Sequence, residues 1–240
     1  MRKDQWLIAF LRGCKFSLER VKKKTCLILP NPKGKLCPRV LLIRAGRYDP
    51  SEHNVGEIMC MLYYLVQIMV LEDDIACVFG IKIVTDYEGV TMSHFVQGTP
   101  SMLRKMVAVS QYYLFTFDLF QDSMPLRLKG SHHINLPSGV EKVITIIQGF
   151  LNEKARQRLR IHKNQEELME DIPKEVVPPE YGGTGPSIPE LTEYWVGKFK
   201  QYHDWMKVEE QLGTDESKRL GPPVAHDFME DGSFRKLDID

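Results

Sequence analysis

Four basic side chains at two regular spacings carry the clearest chemical potential in this sequence. Arg127 and Lys129 stand two apart in "MPLRLKGSHHIN", a stretch of strand character, so alternation points them the same way. Lys154 and Arg158 stand four apart in "NEKARQRL", which puts them on one face of a helix. Two such pairs converging from a strand and a helix would form a receptor for phosphate groups. Scattered over a surface, they would only keep it soluble. His132 and His133 are adjacent on the same strand and so face opposite ways; they cannot grip one ion as a helical i, i+4 pair does. With His162 standing alone, structural roles are expected for all three histidines.

Other chemistries lack their residues. The five cysteines (Cys14, Cys26, Cys37, Cys60 and Cys77) include no CxxC pair, and no four-ligand zinc spacing occurs. Reduced, structural thiols are the expected reading. There is no GxSxG elbow, no GxxxxGK[ST] phosphate loop and no GxGxxG fingerprint. "YGGTG" at 181–185 lies in a proline-rich loop rather than between strand and helix, so it reads as a turn. The sequence therefore predicts neither an enzyme nor a resident metal or cofactor.

An apolar stripe lies between the basic pairs. Val140, Ile144, Ile147 and Leu151 recur at steps of four, three and four and so share one helical face. By itself that pattern fits an ordinary core helix. The oiliest stretch, "MCMLYYLVQIMVL" at 59–71, falls short of the roughly 20 apolar residues that cross a bilayer. A buried helix is expected there, with neither a secretory signal nor a transmembrane span. The whole chain of 240 residues balances 32 basic against 32 acidic side chains, so net charge favours no partner and gives no reason to expect nucleic acid. Their distribution is uneven: residues 1–45 hold 12 Lys/Arg against 2 Asp/Glu, and residues 164–240 hold 8 against 18. The asymmetry fits a bipolar molecule with a face suited to anionic surfaces, or a solvated surface with its charges unevenly dealt.

Strand and helix patterns alternate from residue 39 to 163, which predicts an α/β layer fold. Strands are expected at 39–46, at 76–86, in "LRLKGSHHIN" and in "LRIHKN"; helices at 55–71, 100–111, 138–150, 152–159 and 189–212. Asn164, with Glu167 three residues on, is placed to cap a further helix.

Read together, five stretches resemble the CRAL-TRIO (Sec14-like) family, and within it the tocopherol- and retinaldehyde-transfer branch. They are "FLRGCKFSLER", "GIKIVTDYEGVTMSH", "MPLRLKGSHHIN", "FLNEKARQRLRIH" and "PPEYGG", in that order over residues 4–205. The end, "GSFRKLDID", is similar to that of insect-type members. The resemblance implies a mixed-sheet floor flanked by helices, with a gate helix at 137–151 over an apolar cavity. It implies a cavity lined by Ile81, Thr85, Leu126, Leu128 and Ser131, closed by Val140, Ile144, Ile147 and Leu151. It also assigns Arg127, Lys129, Lys154 and Arg158 to a phosphoinositide head group.

The implied function is transfer of a tocopherol- or retinoid-like lipid between membranes by a monomeric cytoplasmic protein that docks reversibly. Alternatives are a phospholipid exchanger and a ligand-free membrane-binding or interaction module. The implied organisation is a remnant of an N-terminal helical domain at 1–25, a lipid-binding domain at 26–185, and a helix with an acidic tail at 186–240. Two departures stand out. Cys14 replaces the second arginine of the family's "FLRAR" pattern, and "YYLFTFDLF" at 112–120 reads as an insertion.

Overall fold

The computed structural model describes residues 25–32, 34–53, 55–96, 126–138 and 153–209. The gate positions Val140, Ile144, Ile147 and Leu151 lie outside them, as do "FLRGCKFSLER", the 100–111 helix, the 112–120 segment and the acidic tail.

A five-stranded sheet organises the described residues. Its strands are β1 (Cys26–Leu29), β2 (Arg39–Arg44), β3 (Ile81–Asp86), β4 (Leu128–Ile134) and β5 (Leu159–Ile161), in the order β1-β2-β3-β4-β5. β1 runs antiparallel to β2, and the other neighbours are parallel. Parallel neighbours need crossovers, which the helices supply. Two of them, α1 (Val55–Glu72) and α2 (Asp74–Phe79), link β2 to β3. The short α3 (Met92–Val96) follows β3, and α4 (Glu153–Arg158) leads into β5. After β5 come α5 (Gln165–Asp171), a 3-10 turn at Pro179–Tyr181, α6 (Ile188–Gln201) and α7 (His203–Glu209).

Sequence expectation and structure part at three places. The run 76–86 is not one strand. Asp73 accepts from the Ala76 N–H and starts α2, and Gly80 ends it at φ 83°. A Cβ at Gly80 would lie 2.1 Å from the Arg127 carbonyl oxygen, so only glycine fits between α2 and β3. Second, β1 had no counterpart among the expected strands: "CLIL" is four apolar residues without alternation, the pattern of a strand covered on both faces. Third, the helix expected over 189–212 is two, joined at Tyr202. The Asn164 cap forms as expected, its side chain accepting from the Glu167 N–H.

The C-terminal helices close the β1 edge. The indole of Trp195 on α6 donates to the Ile28 carbonyl at 2.9 Å, giving a partner to an edge acceptor. Lys198 and Tyr202 both bond Glu72 at the end of α1, and Trp205 of α7 meets Tyr64 edge-on. α1 thus packs against both the sheet and the C-terminal pair, burying Met61, Tyr64, Leu65, Ile68 and Met69.

One carboxylate ties three loops to the ends of the strands. Asp86, 1% exposed, accepts from the Tyr181 hydroxyl at 2.5 Å, and from the Asn135 side chain and the Glu88 N–H at 2.9 Å each. Arg44 donates to the same Tyr181 oxygen at 3.1 Å. Replacing Tyr181 by Phe leaves the buried carboxylate one donor short. It is expected to cost about 1–3 kcal/mol, read as a lower urea midpoint at unchanged slope.

Candidate functional site

The two faces of the sheet differ in how they are closed. Register puts Leu27, Leu29, Val40, Leu42, Val84, Asp86, His132 and Ile134 on one face. None of these is more than 3% exposed. Leu168 of α5 and the loop residues Ile172, Val177, Pro178 and Tyr181 cover this side. The space left between them and the sheet is about 10 Å³, at most one water. This face is solid interior.

The other face carries Ile81, Ile83 and Thr85 of β3, with Leu128, Ser131 and His133 opposite them on β4, then Leu159 and Ile161 of β5. Near β1 and β2 it is buried through Cys26, Ile28 and Leu41. Beyond β3 it opens. Ile83, Thr85, Leu128, Ser131, His133 and Leu159 are all half-buried, and Ile161 is 37% exposed. Four of the five expected floor positions therefore share one face: Ile81, Thr85, Leu128 and Ser131. The fifth, Leu126, is buried just before β4 begins.

Leu128 and Ser131 are three apart, which in a regular strand sends them to opposite sides. A register shift between Ile81 and Lys82, opposite Leu128 and Gly130, absorbs one residue and brings both to the same face. Ile83, two residues from Ile81, belongs to the floor as well. Simple alternation from Ile81 would have found it.

The basic pairs only partly meet expectation. Arg127 precedes β4 and Lys129 sits at the bulge; both are exposed. Lys154 and Arg158 fall in α4, as the sequence suggested. Arg158, however, is half-buried, and its guanidinium donates to the Leu128 carbonyl at 2.8 Å. Part of its cationic fork thus fastens α4 to β4, beside the exposed pair.

The histidines are more organised than their spacing implied. His132 and His133 do face opposite ways, but His162 is not alone. Its Nε2 lies 2.9 Å from His132 Nδ1, and the two rings stack at 5.1 Å. Asp171 of α5 approaches both, at 3.7 and 3.9 Å, and pairs through both carboxylate oxygens with Arg160. His132, His162 and Asp171 bring three donor atoms within 4.8 Å of one another, a grouping that sequence spacing did not reveal because α5 supplies one member. Lys82 also reaches the Asp171 backbone carbonyl, so two cations already serve this residue. Burial pushes His132 down to about 4, with Lys82 adding to the effect and Asp171 opposing it. Burial lowers His162 too, against the pull of Asp171 and Glu167.

On the half-open face, His133 joins a separate chain. Its Nε2 lies 3.0 Å from the Ser131 hydroxyl and its Nδ1 3.1 Å from the Tyr87 hydroxyl, with the Tyr87 and His133 rings stacked. Burial, helped by His162, holds His133 down at about 4; burial pushes Tyr87 up to about 12. Both are neutral at pH 7.

The CRAL/TRIO domain family model matches residues 22–183, a span that takes in the whole sheet, Asp86 and the Tyr181 turn. The chain belongs to the CRAL/TRIO domain family. Its relatives include the alpha-tocopherol transfer protein-like proteins of Mus musculus, 30% identical over 158 residues, and of Homo sapiens, 28% identical over 166. Clavesin-2 of Rattus norvegicus is 30% identical over 149 residues. These matches cover 65%, 69% and 62% of this chain but only 43%, 45% and 42% of the relatives, so the chain spans less than half the length of the curated relatives it matches. Among solved structures, Sfh5 superposes with a TM-score of 0.53 at 16% identity, covering 76% of this chain and 63% of Sfh5. That likeness speaks for the fold alone. In this CRAL/TRIO domain, the mixed sheet with flanking helices is the architecture that the family resemblance implied.

The lowered histidines predict an acid-sensitive domain. An unfolded histidine titrates near 6.5, so below that pH the unfolded chain binds more protons than the folded one. Stability is full above about pH 6.5 and is lost as pH falls toward 4. A histidine held near 4 is expected to cost about 2 kcal/mol by pH 5. Urea unfolding between pH 7 and 4.5 measures the slope, and His132→Asn should flatten it.

Proposed function

We propose that this CRAL/TRIO domain carries an apolar small molecule on the half-open face of its sheet and exchanges it at phosphoinositide-bearing membranes. One observation carries the reading: a sheet sealed to water on one side and left partly open, with apolar side chains, on the other. A solid two-layer protein has no use for that asymmetry, because exposed apolar floor costs stability and invites association.

The magnitudes agree. A guest that hides on the order of 500 Å² of apolar surface gains about 12 kcal/mol at ~25 cal/mol/Å². Ordering and association consume several kcal/mol of it. Micromolar to nanomolar affinity follows. The named relatives support the choice of a tocopherol-like guest, and the apolar character of the floor is consistent with it. Among the described residues no helix is long and apolar enough to cross a membrane, so membrane contact would be peripheral. Arg127 and Lys129 are exposed cations beside the floor. Each basic residue adds about 1 kcal/mol near an anionic surface, which suits docking and release rather than anchoring.

Transfer of fluorescent tocopherol between vesicles tests the reading. Ile83→Trp fills the floor and should weaken binding at least tenfold while the thermal midpoint holds. Unchanged affinity would move the guest off this face. The pair Arg127→Glu and Lys129→Glu should cut binding to vesicles containing phosphatidylinositol bisphosphate more than tenfold, while guest affinity in solution stays the same. Binding of vesicles without any guest would favour an interaction module, and uptake of phospholipid in place of tocopherol an exchanger.

A further inference from the structure

The hydrogen-bond chain on the floor has a direction, and that direction narrows the guest. The inference rests on the carrier reading above. Three polar groups stand in line: the Tyr87 hydroxyl, the His133 ring and the Ser131 hydroxyl, at 3.1 and 3.0 Å. A neutral imidazole donates from one nitrogen and accepts at the other, so only two arrangements exist. In the first, Tyr87 donates to Nδ1, Nε2–H donates to Ser131, and the Ser131 O–H is left over. In the second, Ser131 donates to Nε2, Nδ1–H donates to Tyr87, and the phenol O–H is left over.

The surroundings select the first. Among the described residues His133 is the hydrogen-bond partner of the Tyr87 hydroxyl. The Tyr87 ring is half-buried and stacked on the His133 ring, and burial raises its pKa. A phenolic proton stranded there would cost on the order of 1–3 kcal/mol. Ser131 lies at the other end, on the half-open face, with Ile81, Ile83, Thr85 and Leu128 around it. Its spare proton is the one a guest can reach. Ser131 is thus a donor held in a fixed direction by two neutral rings, set in an apolar floor.

We propose that Ser131 anchors the guest, and that the guest is an apolar molecule bearing one hydrogen-bond-accepting oxygen, such as a carbonyl, ether or alcohol. A pure hydrocarbon would leave the hydroxyl unmet. Among the described residues of β3 and β4, none puts a cation beside Ser131 for an anionic head: Lys82 and Asp86 lie on the sealed face and Lys129 is exposed at the bulge, while Arg158 of α4 is bonded to the Leu128 carbonyl. His133 and Tyr87 are positioning residues, acting through Ser131.

The experiment uses the full chain and two probes: diphenylhexatriene, a hydrocarbon that fluoresces in apolar surroundings, and its para-acetyl derivative. The wild type should bind the acetyl probe about fivefold to tenfold more tightly than the hydrocarbon, the worth of one hydrogen bond in a dry site. Ser131→Ala should erase that preference by weakening the acetyl probe, and hydrocarbon affinity should not fall. Tyr87→Phe should reduce it too, because His133 is then released to the other tautomer. Imidazole nitrogen NMR of the wild type should show His133 protonated at Nε2. Equal affinities for the two probes, a preference surviving in Ser131→Ala, or protonation at Nδ1 would each overturn the anchor while the carrier reading stood. If neither probe binds the wild type, the carrier reading falls and takes the anchor with it.

Discussion

The fold turns on a buried carboxylate. Asp86 is almost wholly removed from water at the carboxyl end of β3, where an isolated negative charge would not be tolerated. It is tolerated because three groups from three different stretches of chain converge on it: the Glu88 N–H of the following turn, the Asn135 amide beyond β4 and the Tyr181 hydroxyl of the C-terminal loop. Burial and the Asp86 hydrogen bond both raise the pKa of Tyr181, which keeps its proton and remains a donor. Arg44 approaches the same phenol from β2. Losing one partner leaves a charge in a dry site, so the loop cannot detach piecemeal. Asp86, Asn135 and Tyr181 sit in "DYEG", "HIN" and "EYGG", three of the stretches that carried the family resemblance. Part of what makes the sequence recognisable is therefore the geometry of this one network.

The network explains why one face is solid. The Tyr181 loop and α5 lie over Leu29, Val40, Leu42 and Val84 and leave barely a water's space. Gly183 sets the fit, since a Cβ there would come within 1.9 Å of the Val177 carbonyl oxygen. That face is full, which leaves the other for the guest proposed above. The His132–His162–Asp171 group reinforces the division. It joins β4, the residue after β5 and α5 on the sealed side, while His133, the next residue along β4, serves the open side.

Much of this architecture was legible because it rests on local pattern. Alternating strand and helix signals gave the layered fold, Asn164 and Glu167 gave the start of α5, and two-residue alternation separated His132 from His133. What escaped depends on groups far apart in sequence or on backbone detail. β1 is four apolar residues, and its strand identity comes from pairing with β2. The break at Gly80 follows from a carbonyl 47 residues away, at Arg127. His162 looked solitary because its partner stands 30 residues earlier. The helical pair Lys154 and Arg158 was correctly placed on a helix, yet Arg158 spends part of its fork on the Leu128 carbonyl, which no spacing rule reports.

The bulge in β4 joins the two halves of the site. Without the extra residue, Leu128 and Ser131 would part company and the floor would lose either its apolar entrance or its hydroxyl. With it, β4 begins among exposed cations, Arg127 and Lys129, and continues along the half-buried face through Leu128, Ser131 and His133. Arg158 bonds the Leu128 carbonyl at the junction, so α4 is held where charge gives way to oil. A phosphate drawn to that end of the strand and a guest lying on it would act on the same few residues. Coupling between docking and release then needs no long-range pathway, only a small shift in a strand that already carries one irregularity.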